Sequence, residues 1–577
     1  MRFFLALLLA AIPALPALAR SAAGRSVAGR SAAGRSGAES IEANLEAWDI
    51  AGAQAGVDEQ MQSAPDSPET AYFRGRVLFE QGKYQESVKQ FEEARSHGAE
   101  RIDEELRLAR AAAAEVKGDQ VHESAHFTLR TRPGKDALLV PYALSALERS
   151  YDSLTKDLGY APKDKIRVEV YESAQALARV SPLTVAEIKA SGTIALCKYN
   201  RLMITSPRAL LRGYSWLDTL AHEFTHYLVT QKGRNTVPIW LQEGLAKFLE
   251  TRWRGEPGLA VDELSLQLLT RAAKAKTLIP FAAMHPSIAK LPTQEKAALA
   301  FAEVEAAMRL LYLRGGQTAL TELVAAMASG MTDEQAVAQA YGKSFPQFEA
   351  DWRAEVAKPR RKAQEARPLE QHQVVFKEDA RSAKERPVLA EEAETKPADP
   401  EAKRAVRLGE LLFARHRWSG AAQEYAKARA RLPQEIPQIA RRYAFAELQL
   451  GHFPEAETAL SAAVARDPDD EAAQVLYAQV LAKRGAFDKA RAALEMGIAQ
   501  DPFDPDLHAV YVVVAQGEKN SALEAQEKNA YALATGHAQP QAAPAAEPVP
   551  PAGEQAAPAK GNSAPAAGDS GLKEEAR

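Results

Sequence analysis

Cysteine is almost missing from this chain: Cys197 is the only one among 577 residues. That excludes an internal disulfide and leaves no cysteine cluster to hold a metal. Cys197 closes the apolar run Thr193-Ile194-Ala195-Leu196-Cys197, which suits a buried, inert thiol. A charge excess is also missing. The 72 Lys+Arg against 76 Asp+Glu leave a net charge of −4. No block is basic enough, and no basic surface aromatic-rich enough, for a nucleic-acid partner. Long apolar runs are missing too, so no transmembrane segment is expected. The one apolar run, near Phe3–Ile12, follows Arg2 and is cut short by Pro13 and Pro16. Ala17-Leu18-Ala19 then supplies an A-x-A cleavage site, so residues 1–19 read as a signal peptide cut near Ala19. With no cysteine there for lipid attachment, a soluble periplasmic or extracellular protein is expected.

What the chain does contain is two copies of H-E-x-x-H: His122-Glu123-Ser124-Ala125-His126 and His222-Glu223-Phe224-Thr225-His226. On a helix, positions i and i+4 stack on one face, so two imidazoles can reach one ion. The first copy sits between the helix-stop signal Lys117-Gly118-Asp119-Gln120 and the strand-like Phe127-Thr128-Leu129-Arg130-Thr131. On a strand, i and i+4 lie about 13 Å apart, too far to share an ion. It reads as a solvated loop leading into a strand.

The second copy differs. Trp216, Leu217, Leu220, Phe224, Tyr227 and Leu228 fall at helical spacing and predict a helix packed into a core. Pro238 opens a further segment whose Leu241, Leu245, Phe248 and Leu249 form one apolar face; it carries Glu243. Two neutral imidazoles and one carboxylate leave an open position for water, the catalytic arrangement for one Zn²⁺. His222, His226 and Glu243 are therefore the expected metal ligands, and Glu223 the general base.

His222-Glu223-Phe224-Thr225-His226 followed by Trp240-Leu241-Gln242-Glu243-Gly244-Leu245-Ala246 resembles the gluzincin metallopeptidases, in the branch called peptidase MA-like. The resemblance covers roughly Val121 to Val356. It implies a thermolysin-like layout: a small sheet, an active-site helix beneath its edge and a second helix with the glutamate. It also implies that an edge strand in the Gly192–Thr205 region holds substrate backbone. Gly315-Gly316, Tyr341-Gly342-Lys343-Ser344-Phe345 and Phe348–Arg353 are similar to the ending of this domain type. Thermolysin-like enzymes carry an acid four residues after the ligand glutamate, and this chain has Lys247 there. Glu250 or Asp218 is then expected to orient a histidine. Where relatives often carry an aromatic hydroxyl, this chain reads Ala300-Phe301-Ala302-Glu303. The oxyanion donor is left open among Tyr199, Tyr227, His285 and Tyr312.

At 577 residues the chain exceeds one domain. The fold class expected is a multidomain helical protein with one α+β domain and a small mixed sheet. Residues 20–37, low-complexity repeats of Arg-Ser-Ala-Ala-Gly type, are expected to be disordered. Residues 38–118 read as a helical region with one hairpin about Gly82-Lys83-Tyr84 that resembles a tetratricopeptide (TPR) unit. Residues 119–356 form the metallopeptidase-like domain and 357–400 a charged linker, whose Val374, Val375 and Phe376 can dock on a neighbour. In residues 401–536, Gly451-His452-Phe453 recurs as Gly485-Ala486-Phe487, 34 residues on (485 − 451). That is the TPR period, predicting an α-solenoid of about three clear repeats and a degenerate cap. His416 and Trp418 replace the glycine and aromatic of the first unit. Residues 537–577, rich in Ala and Pro, are expected to be disordered. Two functions follow: an exported zinc metallopeptidase whose repeats bind peptide substrates or partner proteins, or an inactive exported TPR scaffold keeping a remnant zinc domain.

Overall fold

In the computed structural model, the described residues are 37–358 (without 212, 256, 258–262, 285–287 and 289–290), 374, 376–377, 397, and 399–536 without 434. The expectations for the signal peptide, the low-complexity repeats, most of the linker, the tail and His285 lie outside them.

Five helices come first: α1 (Gly37–Glu46), α2 (Ile50–Ser63), α3 (Pro68–Glu80), α4 (Tyr84–Ser96) and α5 (Asp103–Glu115). The central region follows with β1 (Gln120–Glu123), β2 (Phe127–Thr131), α6 (Val140–Leu158), β3 (Ile166–Tyr171), α7 (Ala174–Val180), α8 (Val185–Ser191), β4 (Ala195–Lys198) and β5 (Arg201–Thr205). It continues with α9 (Trp216–Gly233), α10 (Ile239–Leu249), α11 (Glu263–Ala275), α12 (Gln294–Ala328), α13 (Asp333–Tyr341) and α14 (Phe345–Val356). The last region holds the hairpin pairs α15 (Pro400–Phe413) and α16 (Trp418–Ala430), α17 (Pro437–Gln449) and α18 (Phe453–Arg466), α19 (Glu471–Lys483) and α20 (Phe487–Gln500), α21 (Pro505–Gly517) and α22 (Ser521–Thr535).

The sheet is small and mixed, ordered β1-β2-β3-β5-β4. Strands β2, β3 and β5 run parallel, while β1 and β4 are antiparallel edges. The β4–β5 hairpin turns on Tyr199 and Asn200, both at positive φ (55° and 52°), the mirror-image turn whose twist matches a tight hairpin. Ile194 O accepts from Thr205 N–H at 2.7 Å, and antiparallel pairing alternates. The peptide groups of Ala195 and Cys197 therefore face away from β5, toward the outer side of the edge strand, whose residues Ala195–Cys197 are buried. The interior of the hairpin is held by a buried charge network. Arg201, fully buried, lies 3.2 Å from Glu169, whose two oxygens accept at 2.5 Å from Tyr84 and Tyr171. Tyr84 belongs to α4, so the N-terminal helices are tied directly to the sheet. Truncating one member of such a network costs about 3–5 kcal/mol, because the remaining charge stays buried.

The repeat region shows what its period encodes. The turns at Gly451 (φ 78°), Gly485 (φ 74°) and Lys519 (φ 57°) are all left-handed and 34 residues apart (485 − 451; 519 − 485). His416 adopts the same conformation (φ 54°) in the first unit. The turn requires the dihedral angle, and glycine only makes it cheapest. The segment expected as a degenerate cap is thus a fourth hairpin. Two docking expectations for the linker meet described residues: Phe376 forms an isolated bridge with Leu210, and Val374 lies against Gly192.

Candidate metal centre

Helix α9 was expected to bury one apolar stripe. Instead nearly every residue from Trp216 to Thr230 is buried, because α6, α10, α12 and β4–β5 surround it. Polar groups on this helix are therefore out of water and need partners. Thr219 and Thr225 find them on the helix itself, donating to Ser215 O and Ala221 O at 2.9 Å. His222 Nε2, His226 Nε2 and both oxygens of Glu223 do not.

Helix α10 brings the third group. Gly244, next to Glu243, has no room for a side chain: an added Cβ would lie 2.8 Å from Met308 Cγ and 3.0 Å from Val304 O of α12. This close approach seats α10 and aims Glu243 at α9. Glu243 Oε2 lies 3.5 Å from His222 Nε2 and 3.5 Å from His226 Nε2. One donor atom from each of the three residues falls within 4.8 Å of the others. All three residues and Glu223 are 0% exposed. His222 Nε2, His226 Nε2 and both oxygens of Glu243 and Glu223 lack hydrogen-bond partners. Each unsatisfied buried polar atom costs about 1–3 kcal/mol, so such a convergence is unfavourable alone. A divalent cation would satisfy this nitrogen, nitrogen, oxygen set, and the residues fit that role.

The electrostatics follow from the same geometry. Burial opposes charge on His222, yet Glu243 and Glu250 outweigh it and raise its pKa to about 9. Burial wins at His226, whose pKa is lowered. At Glu243 burial opposes charge, but the two imidazoles prevail and hold its carboxyl low. Glu223 is pushed well up, first by burial and also by the charge of Glu243; His222 and the Cys197 peptide N–H act the other way. Glu223 is thus a carboxyl poised to hold a proton, beside the β4 edge.

Of the two acids expected to orient a histidine, the structure brings one to the cluster. Glu250 Oε2 lies 3.2 Å from His222 Nδ1, and its Oε1 accepts from Lys247 Nζ at 2.7 Å. Lys247 stands where an acid was expected and neutralises the acid one helical turn on. Asp218 does not reach the histidines. It accepts from Trp253 Nε1 at 2.8 Å and pairs with Arg254. Helical periodicity put Asp218 one turn before His222, but the neighbouring 3₁₀ turn Arg252–Arg254 captures it.

The oxyanion candidates are dispersed. Tyr199 packs on Phe79 of α3 (5.1 Å between rings) and Tyr227 on Trp48 (6.0 Å). Tyr312 packs on Phe248 (5.2 Å). Each is held by an aromatic partner outside the cluster. Sequence reasoning missed Tyr214. It is fully buried, donates to Thr205 O at 2.5 Å, and has its phenol pushed well up by burial and then by Glu223. A lone tyrosine in a loop before α9 carries no periodic signal, so nothing in the sequence marked it.

Comparison with known proteins agrees with this arrangement. Residues 146–358 match the Peptidase MA superfamily and residues 447–512 the tetratricopeptide repeat. No curated protein matches. Among solved structures, yeast LTA4 hydrolase in complex with bestatin is 12% identical, over 72% of this chain and 67% of that one, with a TM-score of 0.28. The TPR2AB-domain:pHSP90 complex of yeast Sti1 is 15% identical, over 46% of this chain and 97% of that one, at 0.17. The chain carries a Peptidase MA superfamily domain over residues 146–358, followed in the same polypeptide by a tetratricopeptide repeat over residues 447–512.

Proposed function

We propose that this protein is a zinc metallopeptidase that hydrolyses peptide bonds. The observation that carries the reading is the convergence of His222, His226 and Glu243 within 4.8 Å, with Glu223 buried beside them and the imidazole Nε2 and carboxylate oxygens without hydrogen-bond partners. In this reading the three residues hold one zinc ion, which when bound supplies Lewis acidity.

The remaining steps belong to the protein. The outward peptide groups of Ala195 and Cys197 pair with a substrate backbone as an added strand. Glu223, as the carboxylate, takes a proton from the attacking water and returns it to the departing amine, and the burial that raises its pKa strengthens it as a base. Glu250 holds the His222 ring by Nδ1, leaving Nε2 for the ion, and Lys247 pairs with the other Glu250 oxygen. The repeats bind protein partners or deliver substrate. Residues 1–19 would direct the protein out of the cytoplasm; among the described residues no helix is long and apolar enough to cross a membrane.

The test is a Glu223→Gln protein assayed on casein or a peptide library, with zinc content measured in parallel. Loss of cleavage with zinc retained supports the reading, and undiminished cleavage sinks it. The second reading is an inactive scaffold. It is favoured by Phe301, a buried apolar ring where relatives often carry a hydroxyl. A wild-type chain that binds zinc and cleaves nothing would favour it.

A further inference from the structure

We infer that the rear half of the repeat array is a positioning element for the metal-site helix. It acts through a joint between the C-terminus of α20 and the residues leading into α9. The inference rests on the zinc reading above.

A helix leaves its last four carbonyls without partners of its own. At the end of α20 the catalytic domain supplies them. Trp216 Nε1–H donates to Ile498 O at 2.7 Å, and Tyr214 N–H donates to Gln500 O at 3.1 Å. The Gln500 side-chain amide donates to Ser215 Oγ at 2.7 Å and to Asp469 Oδ1 at 2.8 Å. Trp216 and Tyr214 are fully buried, and Ser215 and Gln500 nearly so. These bonds are therefore made out of water, where leaving one unmade costs most.

The sequence is shaped for this approach. Gly213 sits at φ 65°, and a Cβ there would meet Gln500 O at 2.4 Å. A second contact reinforces the joint: Arg254 reaches Met496 Sδ of α20 at 2.9 Å and also pairs with Asp218 in the first turn of α9. A third pins the far end of the array, where Tyr142 donates to Glu527 at 2.8 Å and Lys135 to Ala534 O at 3.1 Å.

Packing divides the array at the same place. Leu481, Leu494, Ile498, Leu507 and Val514 share one continuous core with Leu217 and Leu220 of α9. Residues of α15–α18 pack in two smaller clusters, the second of which takes in Leu476 and Val480 of α19. The rear hairpins are built into the core around α9, and the front ones join the rest through α19. Fixing Ser215 and Trp216 sets the start of the helix that presents His222 and His226. Gln500 touches neither metal ligand nor substrate, so it is a positioning residue.

The experiment uses the full chain with Gln500→Ala, Gly213→Ala and, as a control, Tyr142→Phe, which loosens only the α6–α22 contact. Hydrogen exchange over residues 214–222 and zinc affinity by chelator competition are measured on each. Gln500→Ala and Gly213→Ala are expected to speed exchange of the first turn of α9 and to weaken zinc binding about 10-fold, in the range of losing an outer orienting contact. Tyr142→Phe is expected to change neither. If Gly213→Ala does not fold, Gln500→Ala alone decides. Faster exchange with zinc affinity unchanged within about twofold overturns the inference, as does unchanged exchange in every folded variant. A wild-type chain that binds zinc but cleaves no peptide fails the peptidase reading alone, because the joint is read on metal affinity.

Discussion

Two segments of this protein spell the same five-residue pattern and do unrelated things. His122-Glu123-Ser124-Ala125-His126 spans the end of β1 and the turn into β2. Its Glu123 is exposed and bonded to Lys165 at 2.7 Å. His126 stacks on Tyr151 (3.6 Å, 11°) and meets Glu148 at 2.7 Å through Nδ1. The ionisable pairs there are made with Lys165 and Glu148, while His122 Nε2 lacks a hydrogen-bond partner. In the second copy the same letters lie on a fully enclosed helix, and His222 Nε2, His226 Nε2 and both Glu223 oxygens lack hydrogen-bond partners. The pattern carries chemistry only when burial removes every partner except an ion.

The largest expected effect separates the glutamates. Glu223→Gln should lower peptide cleavage by about 10²–10⁴-fold, the usual contribution of a general base, with zinc retained. Glu123→Gln should leave the rate unchanged. Equal effects from the two would break the comparison. The histidines come next. His222→Ala and His226→Ala should each remove bound zinc, measured by elemental analysis, whereas His122→Ala and His126→Ala should not. Third are the acids behind the ring. Glu250→Gln should weaken zinc binding about 10–100-fold, as loss of an orienting contact does, and Asp218→Asn should weaken it far less.

How much of this was readable beforehand depends on which signal a feature leaves in the chain. The helices of the centre, its three converging side chains and the 34-residue period were legible because they rest on spacing, which sequence records directly. The fourth hairpin was legible only in part, since Lys519 adopts the left-handed turn without the glycine that flags it. Glu250 and Asp218 could not be ranked, because both lie at helical intervals and only tertiary capture by Trp253 and Arg254 decides between them. Tyr214 and the joint at Gln500 were invisible. They depend on contacts between segments hundreds of residues apart, made by loops with no period.

pH offers a further way to sharpen the contrast. Without metal, His222 carries a pKa raised to about 9 from an ordinary 6.5. Its protonated form gains from Glu243 and Glu250 in the folded state only. That stability is complete below pH 6.5 and is lost as pH rises through 9. Metal-free protein should therefore melt at progressively lower temperature across that window. The zinc-loaded protein should lack this slope, because a coordinated imidazole is already neutral and carries no second proton to lose. Melting curves of both forms from pH 6 to 10 check this, and parallel slopes would contradict it.

The smallest effect belongs to the first copy and runs the other way. Burial opposes charge on Glu148, but bonds from Ser124 and His126 outweigh it and hold its carboxyl below the ordinary 4.5. One of its oxygens accepts from the His126 peptide N–H at 2.8 Å and the other meets the ring. Its stabilisation is present above pH 4.5 and lost as pH falls below it, opposite in sign to that of His222. The group is partly exposed, so screening keeps the contribution small. Glu148→Gln should cost about 1 kcal/mol or less in urea unfolding at pH 7 and leave zinc affinity untouched. A loss of zinc from that variant would mean that the two copies are coupled, because nothing in the β1–β2 turn reaches the buried ion site except through the shared core.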